Sequence, residues 1–244
     1  MISCPYTPNG LANQMFQYAA AYSHSLRIGT TLFFPEKPAG HDGRSPNLHN
    51  IFKLSADRTG EYGPEYHQPG FHYTPLPLAD HMTLVGYFQS EKFFKDYEDT
   101  IRKEFTFKEQ CKPPKPKTVS IHIRRSDYLL HPNHHPLCSL DYYERAMAEF
   151  KDYNFLVFSD DKQWCLDNFK YENVEISLEE SNFLELQQMS QCDHHIISNS
   201  SFSWWAAWLN TNPDKRVIAP KTWFGPAYDH WDTSDLYPSG WRIL

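Results

Sequence analysis

The hydrophobic positions follow a helical period near the N-terminus. Apolar residues recur every three or four positions from Leu11 to Leu26, which predicts a helix. Asn9 stands just before this pattern, where an asparagine side chain commonly caps a helix, and it is the predicted N-cap. Strands are predicted over residues 31–34 and 82–88, and a helix over residues 91–105. Residues 35–80 are rich in Pro, Gly and His and predict no regular element.

The pattern changes after residue 117, where short apolar runs alternate regularly with helical patterns. The predicted strands are 118–123, 154–158, 174–177, 194–198 and 216–219. The predicted helices between them are 140–151, 162–169, 182–191 and 203–209. Alternation of this kind predicts an α/β fold in which a parallel sheet is flanked by helices.

A proline-rich segment separates the two patterns. Residues 111–117 contain three prolines and three lysines, and such a segment forms a stiff linker rather than a helix or a strand. We therefore predict two domains, residues 1–112 and residues 118–244.

Composition narrows the possible functions. The 244 residues carry a net charge of −7, which disfavours a nucleic-acid-binding protein. The five cysteines are scattered without a C-x-x-C pair, as expected in a reducing compartment. No apolar run approaches the roughly 20 residues of a membrane span, and the N-terminus lacks the regions of a secretory signal. The sequence thus predicts a cytoplasmic protein without a membrane span.

Polar clusters follow three of the predicted strands. Arg124-Arg125-Ser126-Asp127 follows the first, Ser159-Asp160-Asp161 the second, and Ser198-Asn199-Ser200-Ser201 the fourth. Because ligands of open parallel sheets bind beyond the carboxyl ends of the strands, we expect these clusters to converge on one edge.

The residue types at this edge favour a phosphorylated ligand. The planar guanidinium of an arginine matches phosphate oxygens, and hydroxyl residues at a helix N-terminus add further donors. Asp127 could orient a guanidinium, and Asp160 or Asp161 could accept a hydrogen bond from a sugar hydroxyl. The alternatives are an ion-pair network for the arginines and a helix cap for the Ser-Asp sequence.

Cofactor and metal motifs are absent from the sequence. There is no G-x-G-x-x-G and no G-x-x-x-x-G-K-[ST], which disfavours a nicotinamide cofactor and a P-loop. Asp160-Asp161 has no third ligand at a telling spacing, and His194-His195 would point to opposite faces of a strand. We predict no cofactor and no metal.

Four segments resemble the α-1,2-fucosyltransferases of glycosyltransferase family 11. They are GLANQMFQYA (10–19), GYFQSEKFF (86–94), HIRRSDYL (122–129) and SNSSFSWWAAWLN (198–210). The third resembles the H-x-R-R-x-D motif, which is shared more widely among enzymes that use GDP-fucose. The segments span most of the chain in the order expected for the family.

The resemblance implies a GT-B architecture of two Rossmann-like halves facing across a cleft. Residues 1–112 would form the acceptor side, and residues 118–244 would bind GDP-fucose. The implied reaction is metal-independent and inverts the anomeric carbon. It carries L-fucose from GDP-β-L-fucose to the 2-hydroxyl of a glycan acceptor that ends in galactose.

The resemblance also assigns site residues. Arg124, with Arg125 and Asp127, would serve catalysis, and Arg124 would contact the β-phosphate of the donor. Glu185 would bond guanine, at a position where the family usually has aspartate. The other implied donor-binding residues are Asn13, Gln14, His122, Ser159, Asp160, Ser200, Ser201 and Phe202.

Some points stay open at this stage. Asp127 and the histidines His131, His134 and His135 are candidates for a base that takes the acceptor proton. Two other functions remain possible, a transferase of another GDP-sugar and a glycan-binding relative with impaired catalysis. The second is favoured by Ala12, which replaces a family glycine, and by the short chain.

Overall fold

The computed structural model describes residues 1–5, 10–36 and 47–244, which form two compact units. The first unit contains Met1–Lys108 together with Trp231–Pro238, and the second contains Glu109–His230 together with Ser239–Leu244. The sequence predicts that residues 118–244 form a single domain. The structure instead groups residues 231–238 with the first unit.

Long-range side-chain contacts explain why residues 231–238 belong to the first unit. The ring of Trp231 stacks on Phe71, with 5.2 Å between the ring centroids. The Asp235 carboxylate accepts a hydrogen bond of 3.1 Å from the backbone N–H of Tyr73 and pairs with Lys92. These partners are more than 140 positions apart in the sequence, so no local pattern could reveal them.

A parallel sheet organises the described part of the first unit. Its elements are β1 (Ile2–Ser3), α1 (Leu11–Arg27), β2 (Leu32–Phe33), α2 (Leu48–Ile51), β3 (Glu65–His67), β4 (Met82–Val85) and α3 (Glu98–Glu104). The strands are ordered β2-β1-β4-β3, and each pair is parallel. The first predicted helix is confirmed as α1. Its predicted cap, Asn9, lies outside the described residues.

The helix predicted over residues 91–105 is wrong for its first half. Two 3-10 turns, Glu91–Phe93 and Lys95–Tyr97, precede the α-helix α3. Phe94 between them has φ −138° and ψ 1°, outside the helical region. Because Phe93 and Phe94 are both fully buried, we attribute this break to their packing.

The second unit has the predicted alternation of strands and helices. Its elements are β5 (Thr118–Ile123), α4 (Leu140–Met147), β6 (Asn154–Ser159), α5 (Lys162–Asn168), β7 (Val174–Ile176), α6 (Asn182–Ser190), β8 (His194–Ile196), α7 (Ser201–Leu209), β9 (Val217–Ala219) and β10 (Arg242–Ile243). Only β10 among these strands was not predicted. It is a two-residue edge strand with both residues exposed, so it carries no hydrophobic signal.

The strand order of the second unit locates a crevice. The six parallel strands are ordered β10-β9-β8-β5-β6-β7, so the chain begins at β5 in the middle and builds outward on both sides. Loops that follow β5 and β8 therefore leave in opposite directions. In doubly wound sheets the ligand binds at this point, beyond the carboxyl ends of the two central strands.

Burial on both faces holds the sheet of the second unit in place. Every residue of β5 is buried, as expected for a central parallel strand covered by helices. On one face, Val119, Ile121 and Val157 pack with Tyr143 and Ala146 of α4. Helix α7 is apolar on nearly all sides, with Trp204, Trp205 and Trp208 buried, and it packs against α6.

The packing of α6 can be tested with two leucines. Leu186 on α6 is fully buried, whereas Leu166 on α5 is 53% exposed. We expect Leu186→Ala to lower the free energy of unfolding by about 2–5 kcal/mol, because it leaves a cavity in the core. Leu166→Ala should lower it by less than about 1 kcal/mol. Urea denaturation followed by circular dichroism measures both, and equal losses would contradict this description of the core.

Candidate active site

Three loops meet at the carboxyl edge of the second sheet. The last residue of β5, Ile123, lies directly opposite Ser159, the last residue of β6, so Arg124 and Asp160 begin neighbouring loops. On the other side of β5, His122 hydrogen-bonds Ser198, with 2.8 Å between Nδ1 and Oγ. The structure thus brings the three polar clusters of the sequence together.

Two aspartates hold Arg124 at this edge. Its Nη1 donates to Asp160 Oδ2 at 2.6 Å, and its Nη2 donates to Asp127 Oδ1 at 2.6 Å. The guanidinium also lies over the ring of Tyr128, 5.4 Å from the centroid. The side chain stays one-third exposed, so it is fixed in direction while still reaching solvent.

The side chain of Arg125 is more buried than that of Arg124. Its Nε donates to Asp161 Oδ2 at 3.0 Å, and its guanidinium lies 4.1 Å from the ring centroid of Trp164. Its backbone N–H donates to Asp160 Oδ1 at 2.9 Å. Asp161 also accepts the backbone N–H of Trp164 and so caps α5. The ion-pair network and the helix cap, both considered as alternatives from the sequence, are present in the structure.

His122 is buried and neutral. Burial, with the nearby Arg124 guanidinium, lowers the pKa of His122 to about 3. Its backbone oxygen accepts a hydrogen bond of 3.1 Å from the hydroxyl of Tyr143, and its ring lies 5.5 Å from that of Phe202. The imidazole therefore places a polar but uncharged group beside the crevice at physiological pH.

The N-terminus of α7 forms the opposite side of the crevice. Ser200 is the N-cap residue, and its Oγ accepts the backbone N–H of Phe202 at 3.4 Å. Ser201 and Phe202 form the first turn of the helix. Backbone N–H groups at such a terminus, together with the helix dipole, favour an anion.

A buried asparagine of the polar cluster after β8 joins the loops of this edge, through contacts that the sequence does not predict. Asn199 Nδ2 donates to the backbone oxygens of Pro136 at 2.8 Å and Trp223 at 3.0 Å, and its Oδ1 accepts from Cys138 Sγ at 3.5 Å. Its own backbone oxygen accepts the Tyr128 hydroxyl at 3.0 Å. Asn199 and Tyr128 thus fix the loops after β5, β8 and β9 relative to one another. The only sequence signal was a polar residue next to the Ser cluster.

Glu185 lies on α6 with unused hydrogen-bonding capacity. Its Oε1 is buried and has no hydrogen-bond partner among the described residues, although it forms an ion pair with Lys162 Nζ at 3.4 Å. Ser181, one turn earlier, also has a buried oxygen without a partner. Burial raises the pKa of Glu185 to about 7, the Lys162 ammonium partly offsets this rise, and the Glu179 and Asp160 carboxylates add smaller increases. Glu185 is therefore within electrostatic reach of the strand-end loops.

Two further sequence candidates belong to the first unit. Asn13 and Gln14 lie on the first turn of α1, where Asn13 Oδ1 accepts a hydrogen bond of 2.8 Å from Gln89 Nε2. Gln14 is buried. Their assignment to the donor site stays a prediction.

The loop histidines follow the Arg cluster in the second unit. His135 stacks on the ring of Tyr128, with 4.7 Å between centroids, while His131 and His134 are exposed. Burial lowers the pKa of His135, which keeps it neutral near pH 7. Within the described ranges, no three His, Cys, Asp or Glu side chains are grouped to hold a metal ion, and no helix is long and apolar enough to cross a membrane.

The environment of Glu185 predicts a pH dependence of stability. Between pH 4.5, the ordinary pKa, and about pH 7, the folded chain binds a proton that the unfolded chain has released. The free energy of unfolding therefore falls as the pH rises through this window. Glu185→Gln removes the effect, so its stability relative to wild type should rise by about 2 kcal/mol between pH 5 and pH 8.

Urea denaturation at the two pH values measures this difference. The control is Glu175→Gln, since Glu175 is exposed and pairs with Lys115 at the surface. A pH profile of Glu185→Gln identical to that of wild type would show that Glu185 ionises without cost.

Comparisons of sequence agree on one family. Residues 48–244 match the profile of glycosyl transferase family 11. The chain is 31% identical to the O-antigen biosynthesis glycosyltransferase WbnK of Escherichia coli, over 92% of this chain and 95% of that protein. It is 29% identical to an α-1,2-colitosyltransferase of Escherichia coli, over 95% of both chains. Identity to galactoside α-(1,2)-fucosyltransferase 1 of Rattus norvegicus is 27%, over 95% of this chain and 77% of that protein.

Comparisons of structure support the fold. The fucosyltransferase NodZ from Bradyrhizobium matches with a TM-score of 0.55 and 14% identity, over 84% of this chain and 92% of that one. POFUT1 in complex with GDP-fucose matches with a TM-score of 0.54 and 12% identity, over 89% and 97%. These similarities confirm the predicted α/β, GT-B-like fold. Since the family profile covers most of the chain and one relative exceeds 30% identity over nearly its whole length, this protein belongs to glycosyl transferase family 11 and is a glycosyltransferase.

Proposed function

We propose that this glycosyltransferase is an inverting α-1,2-fucosyltransferase that uses GDP-β-L-fucose. The observation that carries the proposal is the position of Arg124, which Asp160 and Asp127 direct at the switch point of a parallel sheet, on the other side of the crevice from the N-terminus of α7. This is where a doubly wound sheet binds a nucleotide, and both features favour an anion. The proposed acceptor is a glycan that ends in galactose, in keeping with the names of the fucosyltransferase relatives.

Arg124 is suited to the diphosphate of the donor. A guanidinium carries five N–H donors in a rigid plane, and among the described residues two of them bond Asp127 and Asp160. The remaining donors can bind phosphate oxygens in the same plane. As the bond between the sugar and the β-phosphate breaks, negative charge grows on that phosphate, and Arg124 would stabilise it in the transition state.

The carboxylate of Glu185 is suited to bind the guanine of the nucleotide. Guanine presents an N1–H and an amino group on one edge, and a carboxylate can accept from both. In the part of the chain that the structure describes, the buried Oε1 of Glu185 and the buried Oγ of Ser181 have no hydrogen-bond partner, although Lys162 Nζ lies 3.4 Å from Oε1. Buried polar groups of this kind are available to a ligand. We therefore place the guanine beside the first turn of α6, with Glu185 ionised when GDP is bound.

The other predicted residues surround the sugar and the phosphates in this proposal. Ser200, Ser201 and Phe202 form the first turn of α7, and the neutral imidazole of His122 lies against Phe202. The Oγ of Ser159 already accepts the backbone N–H of Asp161 at 3.0 Å. Its contribution is to shape the loop that carries Asp160.

The name of one relative suggests GDP-colitose as a second candidate for the sugar donor. The α-1,2-colitosyltransferase transfers colitose, which is L-fucose without its 3-hydroxyl group. A pocket that hydrogen-bonds a hydroxyl rejects the analogue that lacks it by about 10⁴- to 10⁵-fold, whereas a pocket that only tolerates the hydroxyl discriminates weakly. The ratio of kcat/KM for GDP-fucose and GDP-colitose therefore decides which sugar this protein transfers.

The proposal is tested by turnover. The protein is incubated in EDTA with GDP-fucose, GDP-colitose or GDP-mannose and a disaccharide that ends in galactose, and GDP release is followed. We expect release with GDP-fucose and an α-1,2-linked product by NMR. Arg124→Ala should lower kcat by about 10²- to 10³-fold, because the growing phosphate charge loses its partner.

Arg145→Ala is the matched control for Arg124→Ala. Arg145 is an exposed arginine that forms an ion pair with Asp141 on α4. Its loss removes the same charge and should leave turnover within twofold of wild type. Normal turnover of Arg124→Ala would contradict the assigned site, and a protein that binds a glycan but not GDP would instead be a glycan-binding relative.

A further inference from the structure

The arginines at the strand ends face an excess of negative charge. Arg124 and Arg125 together bond three carboxylates, those of Asp127, Asp160 and Asp161. The cluster carries one more negative than positive charge before any ligand arrives. A diphosphate that approaches the remaining donors of Arg124 is repelled by this excess charge, and displacement of one carboxylate relieves the repulsion.

The ion pairs of Asp160 with Arg124 and of Asp161 with Arg125 are held too firmly to open. The Asp160 carboxylate accepts from Arg124 Nη1 and from the backbone N–H of Arg125, at 2.6 and 2.9 Å. The Asp161 carboxylate accepts from Arg125 Nε and from the backbone N–H of Trp164, at 3.0 and 3.1 Å. Each carboxylate thus bonds an arginine side chain and a backbone N–H, and their side chains are 21% and 30% exposed.

Asp127 is held differently. Among the described residues, its carboxylate makes one hydrogen bond, the contact with Arg124 Nη2, and its side chain is 56% exposed. It pairs with an arginine three positions earlier at the start of a 3-10 turn, Asp127–Leu130. Exposed pairs of this kind are weak because water and salt screen them. Asp127 is therefore the carboxylate that a diphosphate can displace.

Arg124 keeps its position when Asp127 leaves. Its Nη1 remains bonded to Asp160, and its guanidinium remains over the ring of Tyr128. Tyr128 is buried and its hydroxyl is tied to the backbone of Asn199, so this ring does not follow Asp127. The displacement thus needs only a rotation of one exposed side chain.

We propose that Asp127 occupies Arg124 in the free enzyme, is displaced by the donor diphosphate, and then acts as the base for the acceptor. This inference rests on the proposed function. The acceptor hydroxyl oxygen forms a bond to the anomeric carbon as the bond from that carbon to the β-phosphate oxygen breaks. GDP leaves with the electron pair and stays paired with Arg124, and the hydroxyl proton passes to the released carboxylate of Asp127. Donor binding thereby creates the base, which makes donor binding precede productive acceptor binding.

The affinity for GDP distinguishes an Asp127 that competes with the diphosphate from an Asp127 that only orients Arg124. Calorimetry is performed on wild type, Asp127→Asn, Asp160→Asn, Asp141→Asn and Arg124→Ala. We expect Asp127→Asn to bind GDP about two- to fivefold more tightly, because a competing carboxylate is gone. Asp160→Asn should bind about tenfold more weakly, since Arg124 loses its anchor. Asp141→Asn, which removes an exposed carboxylate from an ion pair on α4, controls for net charge and should match wild type.

Turnover supplies the second readout. Asp127→Asn should lower kcat by about 10²- to 10⁴-fold, as expected for loss of a base, without raising the KM for the donor. Asp127→Glu keeps a carboxylate and should recover part of kcat. Each variant is first checked for a melting temperature equal to that of wild type, which shows that it is folded. Because the side chain of Asp127 is 56% exposed, its substitution should leave the fold intact.

The outcomes distinguish the two proposals. Tighter GDP binding with lower kcat in Asp127→Asn supports the displacement and the role as base. Weaker GDP binding in Asp127→Asn, while Arg124→Ala has lost GDP, overturns the displacement and leaves the proposed function intact. Normal GDP binding by Arg124→Ala would overturn the proposed site itself, and the inference with it.

Discussion

The parallel pairing of β5 with β8 is the constraint on which the second unit depends. The chain forms β5 first and then adds β6 and β7 on one side of it. It next crosses over to form β8, which pairs with the other side of β5. The loops after these strands separate and open a crevice. Arg124 lies at one side of it and the N-terminus of α7 at the other, and a hydrogen bond between His122 and Ser198 joins the two strand ends from which these sides start.

Much of this arrangement follows from the sequence alone, for a physical reason. A central parallel strand is buried on both faces, and β5 shows this with three branched apolar residues, Val119, Ile121 and Ile123, that alternate with buried polar ones. The topology of such sheets then dictates where the polar residues after each strand must meet. The pairing of side chains does not follow from the sequence, because it depends on tertiary contacts.

An arginine next to an aspartate in the sequence is compatible with a ligand site and with an ion-pair network. The structure contains the network, and the bond from Tyr128 to Asn199 had no local signal at all. The return of residues 231–238 to the first unit was hidden for the same reason.

Burial sets the electrostatics of the crevice. It keeps His122 neutral, with a pKa of about 3, and it raises the pKa of Glu185 to about 7. Both effects are confined to buried side chains, whereas water screens the more exposed ion pair of Arg124 with Asp127. The surplus of carboxylates around Arg124 and Arg125 then acquires a purpose. It orders two arginines and leaves one exposed ion pair, Arg124–Asp127, which is the pair that we propose the donor diphosphate replaces.

The proposed function requires that the carboxyl edge of the second sheet binds the guanine nucleotide. Hydrogen exchange of the wild-type protein, followed by mass spectrometry with and without GDP, locates the binding surface without any substitution. We expect slower exchange on GDP binding in peptides that cover residues 124–130, 181–186 and 198–204, with little change in the strands themselves. Binding of GDP that protects none of these peptides, or that protects only segments elsewhere in the chain, would contradict it.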